Sequence, residues 1–158
     1  MNYKQLFSLL ENYGTISEAE QKNIEKYFKP LETKKKQTLI DRQKPANKLF
    51  FVNEGFLRAY YINENGKEIT RMIAWENRFL TNLSSFRSLN ENNEVIESIT
   101  NAEILQINRT DFEILLKSSS NLKSMYADIL EEYNAVHIRR FESLNTFDKK
   151  AFRHYNLE

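Results

Sequence analysis

The chain has 158 residues and a mass of 18.9 kDa, with 41% hydrophobic residues and 23 basic against 22 acidic side chains. This size and composition predict one folded domain, since roughly 100–200 residues usually form one. The sequence contains no cysteine, which excludes disulfides, thiolate metal sites and cysteine nucleophiles. The balanced charge gives no support for a surface that binds nucleic acid by charge alone.

Membrane spans, secretion signals and metal sites are not predicted either. No segment approaches the roughly 20 apolar residues that a membrane span needs, and the N-terminus lacks the apolar core of a signal peptide. We therefore expect a cytoplasmic protein. The two histidines, His137 and His154, follow every predicted strand, so they do not form the ligand set of a metal-dependent β-barrel enzyme. We expect no metal, no cofactor and no catalytic site.

Two helices are predicted at the N-terminus. Apolar residues recur at helical spacing from Leu6 up to Gly14, which is expected to be the C-cap. Ser17 and Glu20 have the spacing of a capping box and predict the start of a second helix, which Pro30 ends.

The middle of the chain is predicted to be β-structure. Asn65-Gly66, between two alternating segments, predicts a hairpin with a type I′ turn, and Asn53-Glu54-Gly55 predicts a second turn. The predicted strands are Thr38–Asp41, Lys48–Val52, Phe56–Ile62, Lys67–Ala74, Val95–Ile99 and Glu103–Ile107. Short strands with regular turn signals favour a closed or sandwich-like β architecture.

The last third is predicted to be helical. Asn108 is expected to cap a short helix, and after Ser118–Ser120 a long helix is expected from about Asn121 to Phe147. A stripe along the long helix steps by alternating fours and threes, as in a two-stranded coiled coil, with a defect at Arg140. The stripe residues are Leu122, Tyr126, Ile129, Tyr133, Val136, Arg140 and Leu144. We favour a dimer interface, and the alternative is a helix that packs on its own domain.

The order of these elements resembles the effector-binding half of Crp/Fnr-type bacterial transcription regulators, the cyclic-nucleotide-binding-like domain. Leu49–Arg58 is similar to the strand–glycine–strand signature of that family, Tyr60–Glu68 to its hairpin, and Ala102–Asn108 to its last strand. The resemblance covers about residues 5–147. It implies an α+β fold, in which a jelly-roll-like β-roll (a double-stranded β-helix) carries N-terminal helices and a long C-terminal dimerisation helix.

The resemblance also implies a division of the chain. Residues 1–117 would form the β-roll with its N-terminal helices, residues 118–147 the dimerisation helix, and residues 148–158 a truncated hinge. Members of the family bind DNA through a helix-turn-helix domain that follows the long helix. That domain is absent from this sequence, so we do not expect the chain as given to bind DNA specifically.

This sequence departs most from the family pattern in the phosphate-binding cassette. Cyclic-nucleotide-binding members have a Gly-Glu pair, whose carboxylate binds the ribose, and an arginine about ten positions later that binds the phosphate. Thr81-Asn82 and Asn92-Asn93 occupy those positions, so classical cyclic AMP binding is not expected. Arg78 or Arg87 is the alternative source of the cation. The candidate effector pocket comprises Arg78, Phe79, Leu80, Thr81, Asn82, Leu83, Ser84, Asn92 and Asn93.

The predicted function is that of a sensory and dimerisation domain of a Crp/Fnr-like regulator that responds to a ligand other than cyclic AMP. The expected partners are a second copy of the chain and an unidentified small-molecule effector, with no membrane. The mechanism that the resemblance implies is two-state, because the ligand would bias how the roll packs on the long helix. The alternative is a stand-alone protein-interaction module that has lost both ligand and DNA binding.

Overall fold

The computed structural model describes the backbone of residues 3–155 and the side chains of residues 3–136, 138 and 139. Helices and strands alternate in blocks along this part of the chain. In chain order the elements are α1 (Lys4–Glu11), α2 (Glu18–Tyr27), β1 (Lys29–Thr33), β2 (Thr38–Ile40), β3 (Lys48–Glu54), β4 (Leu57–Ile62), β5 (Glu68–Ala74), β6 (Arg78–Leu80), α3 (Leu83–Ser88), β7 (Glu94–Ser98), β8 (Ala102–Asn108), α4 (Arg109–Ser118) and α5 (Ser120–Tyr155).

The strands form two four-stranded antiparallel sheets, with the orders β1-β8-β3-β6 and β2-β7-β4-β5. Successive residues of a strand point to opposite faces, so β3, β6 and β8 of the first sheet each contribute to two apolar clusters. The roll core lies on the inner face and includes Phe50, Val52, Leu57, Ile96 and Ile104, all fully buried. This arrangement confirms the predicted α+β β-roll.

The outer face of the first sheet is covered by helices. Leu49, Phe51 and Leu105 on that face pack against apolar side chains of all five helices, such as Leu6 of α1 and Phe86 of α3. We call this the helix-side cluster. The five helices and the sheet therefore share a second core, outside the roll.

The sequence predicts the caps of two helices correctly and the cap of one helix wrongly. Ser17 N donates to Glu20 Oε2 at 2.8 Å and Glu20 N to Ser17 Oγ at 3.3 Å, which confirms the capping box of α2. Asn108 caps α4 as expected. Helix α1 ends at Glu11, so Gly14 is not its C-cap. A Cβ at Gly14 would lie 2.9 Å from Met125 Cε, so glycine permits a close approach to α5.

The hairpin between β4 and β5 forms where it was predicted, but the turn type differs. A type I′ turn needs positive φ at both central residues. Gly66 has a φ of 75°, whereas Asn65 is not among the residues with positive φ. The side chain of Asn63 explains the difference, because its Oδ1 accepts from the backbone N–H groups of Asn65 at 3.1 Å and Lys67 at 2.9 Å. These bonds hold a longer loop that ends in the left-handed glycine.

Two strands and one helix were not predicted. Strand β1 contains Pro30 but lies at a sheet edge, where a missing N–H costs no ladder hydrogen bond. Strand β6 has three residues and helix α3 has six, both too short for a periodic pattern to be visible in the sequence. Their positions follow from tertiary pairing rather than from local sequence.

The long helix α5 runs to Tyr155, beyond Phe147 where we expected it to end. Its packing accounts for the first half of the predicted dimer stripe within one chain. Leu122 and Ile129 are each 5% exposed within one chain, and Tyr126 and Tyr133 also pack against the helix-side cluster. The periodicity of this half of the stripe therefore reflects intramolecular packing.

The second half of the stripe faces outward where it is described. Val136 is 46% exposed, so its contact with a partner stays a prediction. The side chains of Arg140 and Leu144 lie outside the described residues. Among the described residues, no helix combines the length and the apolar character that crossing a bilayer requires.

Candidate effector-binding site

The cassette segment, residues 78–94, runs from β6 through α3 to the start of β7. Asn82 stands where the ribose-binding carboxylate would be expected. Its Oδ1 accepts from the backbone N–H of Ser85 at 3.1 Å and caps α3. Leu89 closes the other end of α3 in the left-handed conformation, with a φ of 56°. The Asn82 side chain is therefore used as a helix cap.

Asn92 stands where the phosphate-binding arginine would be expected, and it is only 7% exposed. Its Nδ2 donates to the carbonyl oxygens of Asp41, at 3.3 Å, and Lys44. Its Oδ1 accepts from the backbone N–H of Glu94 at 2.8 Å. Asn92 thus holds the loop before β3 against the cassette segment, while its neighbour Asn93 is exposed.

An arginine is present beside the cassette segment, but it comes from β5. Arg71 forms a two-point ion pair with Glu94, in which Nε contacts Oε1 and Nη2 lies 3.0 Å from Oε2. Arg71 Nη2 also donates to the carbonyl oxygen of Thr81 at 3.3 Å. The Glu94 side chain is only 7% exposed, and a buried carboxylate requires such a partner. The carboxylate of Glu94 therefore neutralises the positive charge of Arg71.

Neither of the arginines proposed from the sequence takes this position. The guanidinium of Arg78 lies over the ring of Trp75, 5.4 Å from its centroid, and Arg87 is exposed in the last turn of α3. The sequence offered one signal that was missed, since Glu94 is an acid at the start of the apolar strand β7. Arg71 could not be matched to it, because β4 lies between β5 and β7 in the sheet.

A largely apolar groove of about 470 Å³ lies between the cassette segment and α5 and continues into the helix-side cluster. We call it the helix-side groove. Its inner walls include Leu6, Leu10 and Ile24, and α5 contributes Leu130 and Asn134. Of the predicted pocket residues, Phe79, Leu80, Thr81 and Leu83 line the groove, whereas Arg78, Asn82, Ser84, Asn92 and Asn93 do not.

Tyr133 joins α5 to the wall of the roll. Its hydroxyl accepts from the backbone N–H of Phe79 at 2.9 Å and donates to the carbonyl of the same residue at 3.2 Å. Burial raises the pKa of the Tyr133 hydroxyl, and the hydrogen bond with Phe79 opposes that shift. The sequence predicted Tyr133 as an interface residue, yet here it fixes α5 against β6.

Polar contacts also hold the N-terminal helices to α5. Burial raises the pKa of Tyr13 to about 12, and its hydrogen bond to Glu132 acts in the same direction. Burial alone would raise the pKa of Glu20. Hydrogen bonds from Ser119, Ser17 and Asn121 outweigh burial and lower this pKa to about 2. The carboxylate of Glu20 thus serves both the capping box of α2 and the start of α5.

Comparison with known proteins gives a family and a fold. The model of the cyclic nucleotide-binding domain family matches residues 30–119. No curated protein matches the chain by sequence. The sensor domain of the transcriptional regulator DNR from Pseudomonas aeruginosa superposes with a TM-score of 0.68 at 13% identity, over 89% of this chain and 91% of that domain.

Two further solved structures have the same fold. The catabolite activator protein of Thermus thermophilus superposes with a TM-score of 0.69 at 15% identity over 87% of this chain, which spans 63% of that protein. A cyclic nucleotide-binding domain from Methylobacillus flagellatus gives a TM-score of 0.71 at 12% identity, over 94% of this chain and 83% of that one. The structural neighbours thus include Crp/Fnr-type regulators. With its β-roll and with more than half of its length matched, the chain belongs to the cyclic nucleotide-binding domain family, a regulatory family rather than a catalytic one.

Proposed function

We propose that this domain is the sensory and dimerisation part of a Crp/Fnr-like bacterial transcription regulator whose effector is not cyclic AMP. Membership of a regulatory ligand-binding family supports the sensory role. The likeness to a sensor domain and to a catabolite activator protein supports the link to transcription. In this proposal DNA is bound by a separate helix-turn-helix domain.

One observation carries the choice of effector: the chain's own groups occupy the polar positions of the cassette segment. Asn82 caps α3, Asn92 bonds to the backbone of a neighbouring loop, and Glu94 neutralises Arg71. A cyclic nucleotide entering here would find no free carboxylate for its ribose at Asn82 and no free guanidinium for its phosphate at Asn92. A charge-assisted hydrogen bond contributes about 1.5–3 kcal/mol, so two missing contacts weaken binding by roughly 100- to 10,000-fold.

The coupling between ligand and output is proposed to pass through α5. The helix forms one wall of the helix-side groove and is bonded to β6 through Tyr133 and Phe79. An effector that contacts both the roll and α5 favours one packing of the two over another. Such a bias is the two-state behaviour expected of a sensory domain.

Isothermal titration of the 158-residue chain with cyclic AMP and cyclic GMP tests the choice of effector. We expect no saturable binding tighter than the millimolar range. A cooperative thermal unfolding transition in the same sample serves as the control that the protein is folded. Micromolar affinity for either nucleotide would contradict the proposal.

The dimerisation role is tested on the exposed part of α5. Val136 belongs to the predicted stripe, and Ile138 is a matched control because it lies on the same helix with similar exposure, 51% against 46%. We expect Val136→Glu to dissociate the dimer and Ile138→Glu to leave it intact, as measured by sedimentation velocity. A wild-type chain that stays monomeric at tens of micromolar would contradict the proposed dimerisation.

A further inference from the structure

We propose that the helix-side groove binds a small, uncharged and predominantly apolar molecule. The inference deepens the proposed function and rests on it, since it names the class of the effector. It places most of the ligand outside the roll core, between the outer face of the first sheet and the helices.

The size of the groove suits a small molecule. Its volume of about 470 Å³ falls within the roughly 300–1,000 Å³ of ligand pockets. Leu6 and Ile24 at its inner end are 0% and 1% exposed, so that end is closed, and the open part of the groove lies towards Leu83, Leu130 and Asn134.

The charges at the groove favour an uncharged ligand. Arg71 lines the groove, but Glu94 holds its guanidinium, and the Thr81 hydroxyl donates to the Lys48 carbonyl at 2.8 Å. An anionic group beside Arg71 would lose its hydration, while Glu94 already neutralises that guanidinium. Asn134 and Glu131, both exposed residues of α5, line the groove as well and offer hydrogen bonds to a neutral polar end of the ligand.

Two related fluorescent probes test the chemistry on the folded chain. N-phenyl-1-naphthylamine is neutral, and 8-anilino-1-naphthalenesulfonate carries the same rings with an added negative charge. We expect saturable one-to-one binding of the neutral probe and affinity at least about tenfold weaker for the sulfonate, an energy difference of about 1.4 kcal/mol. Unsaturable binding of the neutral probe, or tighter binding of the sulfonate, would overturn the proposal.

Matched variants on α5 test the location. Leu130 lines the groove and Ala127 is exposed on the same helix outside it, so Leu130→Trp fills the groove and Ala127→Trp does not. We expect Leu130→Trp to lower the affinity for the neutral probe by about tenfold or more and Ala127→Trp to leave it unchanged. If Leu130→Trp fails to unfold cooperatively, Leu116→Phe on α4 replaces it with the same expectation. Equal affinities in the lining and control variants would overturn the location.

The remaining outcome is that a second copy of the chain fills the groove. Sedimentation across a protein concentration series, with the neutral probe present, separates the two occupants. Loss of probe binding in step with dimer formation would overturn the small-molecule proposal, whereas binding independent of the dimer fraction supports it. If the neutral probe does not bind, the groove proposal fails, but the proposed function, which the cyclic nucleotide titration tests, does not. Tight cyclic AMP binding would contradict the proposed function but not the location of the probe site.

Discussion

The cassette segment and the helix-side groove lie next to each other along β6, yet their side chains differ in chemistry and in packing. In the cassette segment the polar groups of Asn82, Asn92 and Glu94 are bonded within the chain. In the groove, apolar side chains line an open volume of about 470 Å³. The chain has the family fold, and the side chains of Asn82, Asn92 and Glu94 are engaged in contacts within the chain. Fold membership therefore supplies the architecture, and individual side chains decide the ligand.

The two apolar clusters differ in packing, because the helix-side cluster borders the open groove and the roll core does not. A matched pair of phenylalanines measures this difference. Phe50 on β3 is fully buried in the roll core, whereas Phe79 on β6 is partly buried and lines the groove. We expect Phe50→Ala to lower the free energy of unfolding by about 3–5 kcal/mol and Phe79→Ala by about half as much, because Phe79 already borders open space. Urea denaturation measures both values. Equal losses would contradict the contrast in packing.

The ion pair beside the cassette segment is expected to contribute to stability because it satisfies a buried carboxylate. Arg71→Met leaves Glu94 without its charged partner. We expect the free energy of unfolding to fall by about 2 kcal/mol, less than for a fully buried pair, because Arg71 is partly exposed. Urea denaturation measures the loss, and Arg42→Met serves as the control at an exposed arginine. A loss of unfolding free energy no larger than that of the control would show that the ion pair does not stabilise the fold.

The smallest expected effect concerns the contact between α2 and α5. The folded pKa of Glu20 is lowered to about 2 from the ordinary value of 4.5, so its stabilisation is full above about pH 4.5. That stabilisation is lost as the pH falls towards 2, where Glu20 becomes protonated in the folded state as well. We expect Glu20→Gln to lower the melting temperature at neutral pH and the difference from wild type to shrink over this range.

Glu18→Gln, at the exposed first position of the same helix, is the control for Glu20. Circular dichroism melts at a series of pH values measure both variants. A difference between wild type and Glu20→Gln that is independent of pH would show that the charge of Glu20 does not stabilise the contact.

The sequence predicted the elements whose signals are local. The capping box of α2, the cap of α4 and the glycine of the hairpin depend on neighbouring residues, and all three lie where expected. The turn type was wrong because the Asn63 side chain bonds across the loop. Strands β1 and β6 could not be predicted because each is defined by pairing with a distant strand.

The candidate site was predictable only in part. The departure at Asn82 and Asn92 was visible in the sequence, but the pairing of Arg71 with Glu94 spans an intervening strand and needs the folded sheet. The stripe that contains Ile129 and Tyr133 has a spacing that fits both a coiled coil and a helix packed on its own domain. Only the position of α5 against the first sheet distinguishes the two, and it places Ile129 in the chain's own core and Tyr133 against it.

A single set of amide NMR spectra tests most directly the claim that the cassette segment is closed and the groove open. Spectra of the isotopically labelled chain are recorded alone, with N-phenyl-1-naphthylamine, and with cyclic AMP at micromolar concentrations. We predict that the neutral probe shifts the amide signals of Phe79 and of α5 around Leu130, and that cyclic AMP leaves the amides of Leu83–Ser88 in place. Saturable shifts of those α3 amides by micromolar cyclic AMP, with no response of α5 to the neutral probe, would contradict the account.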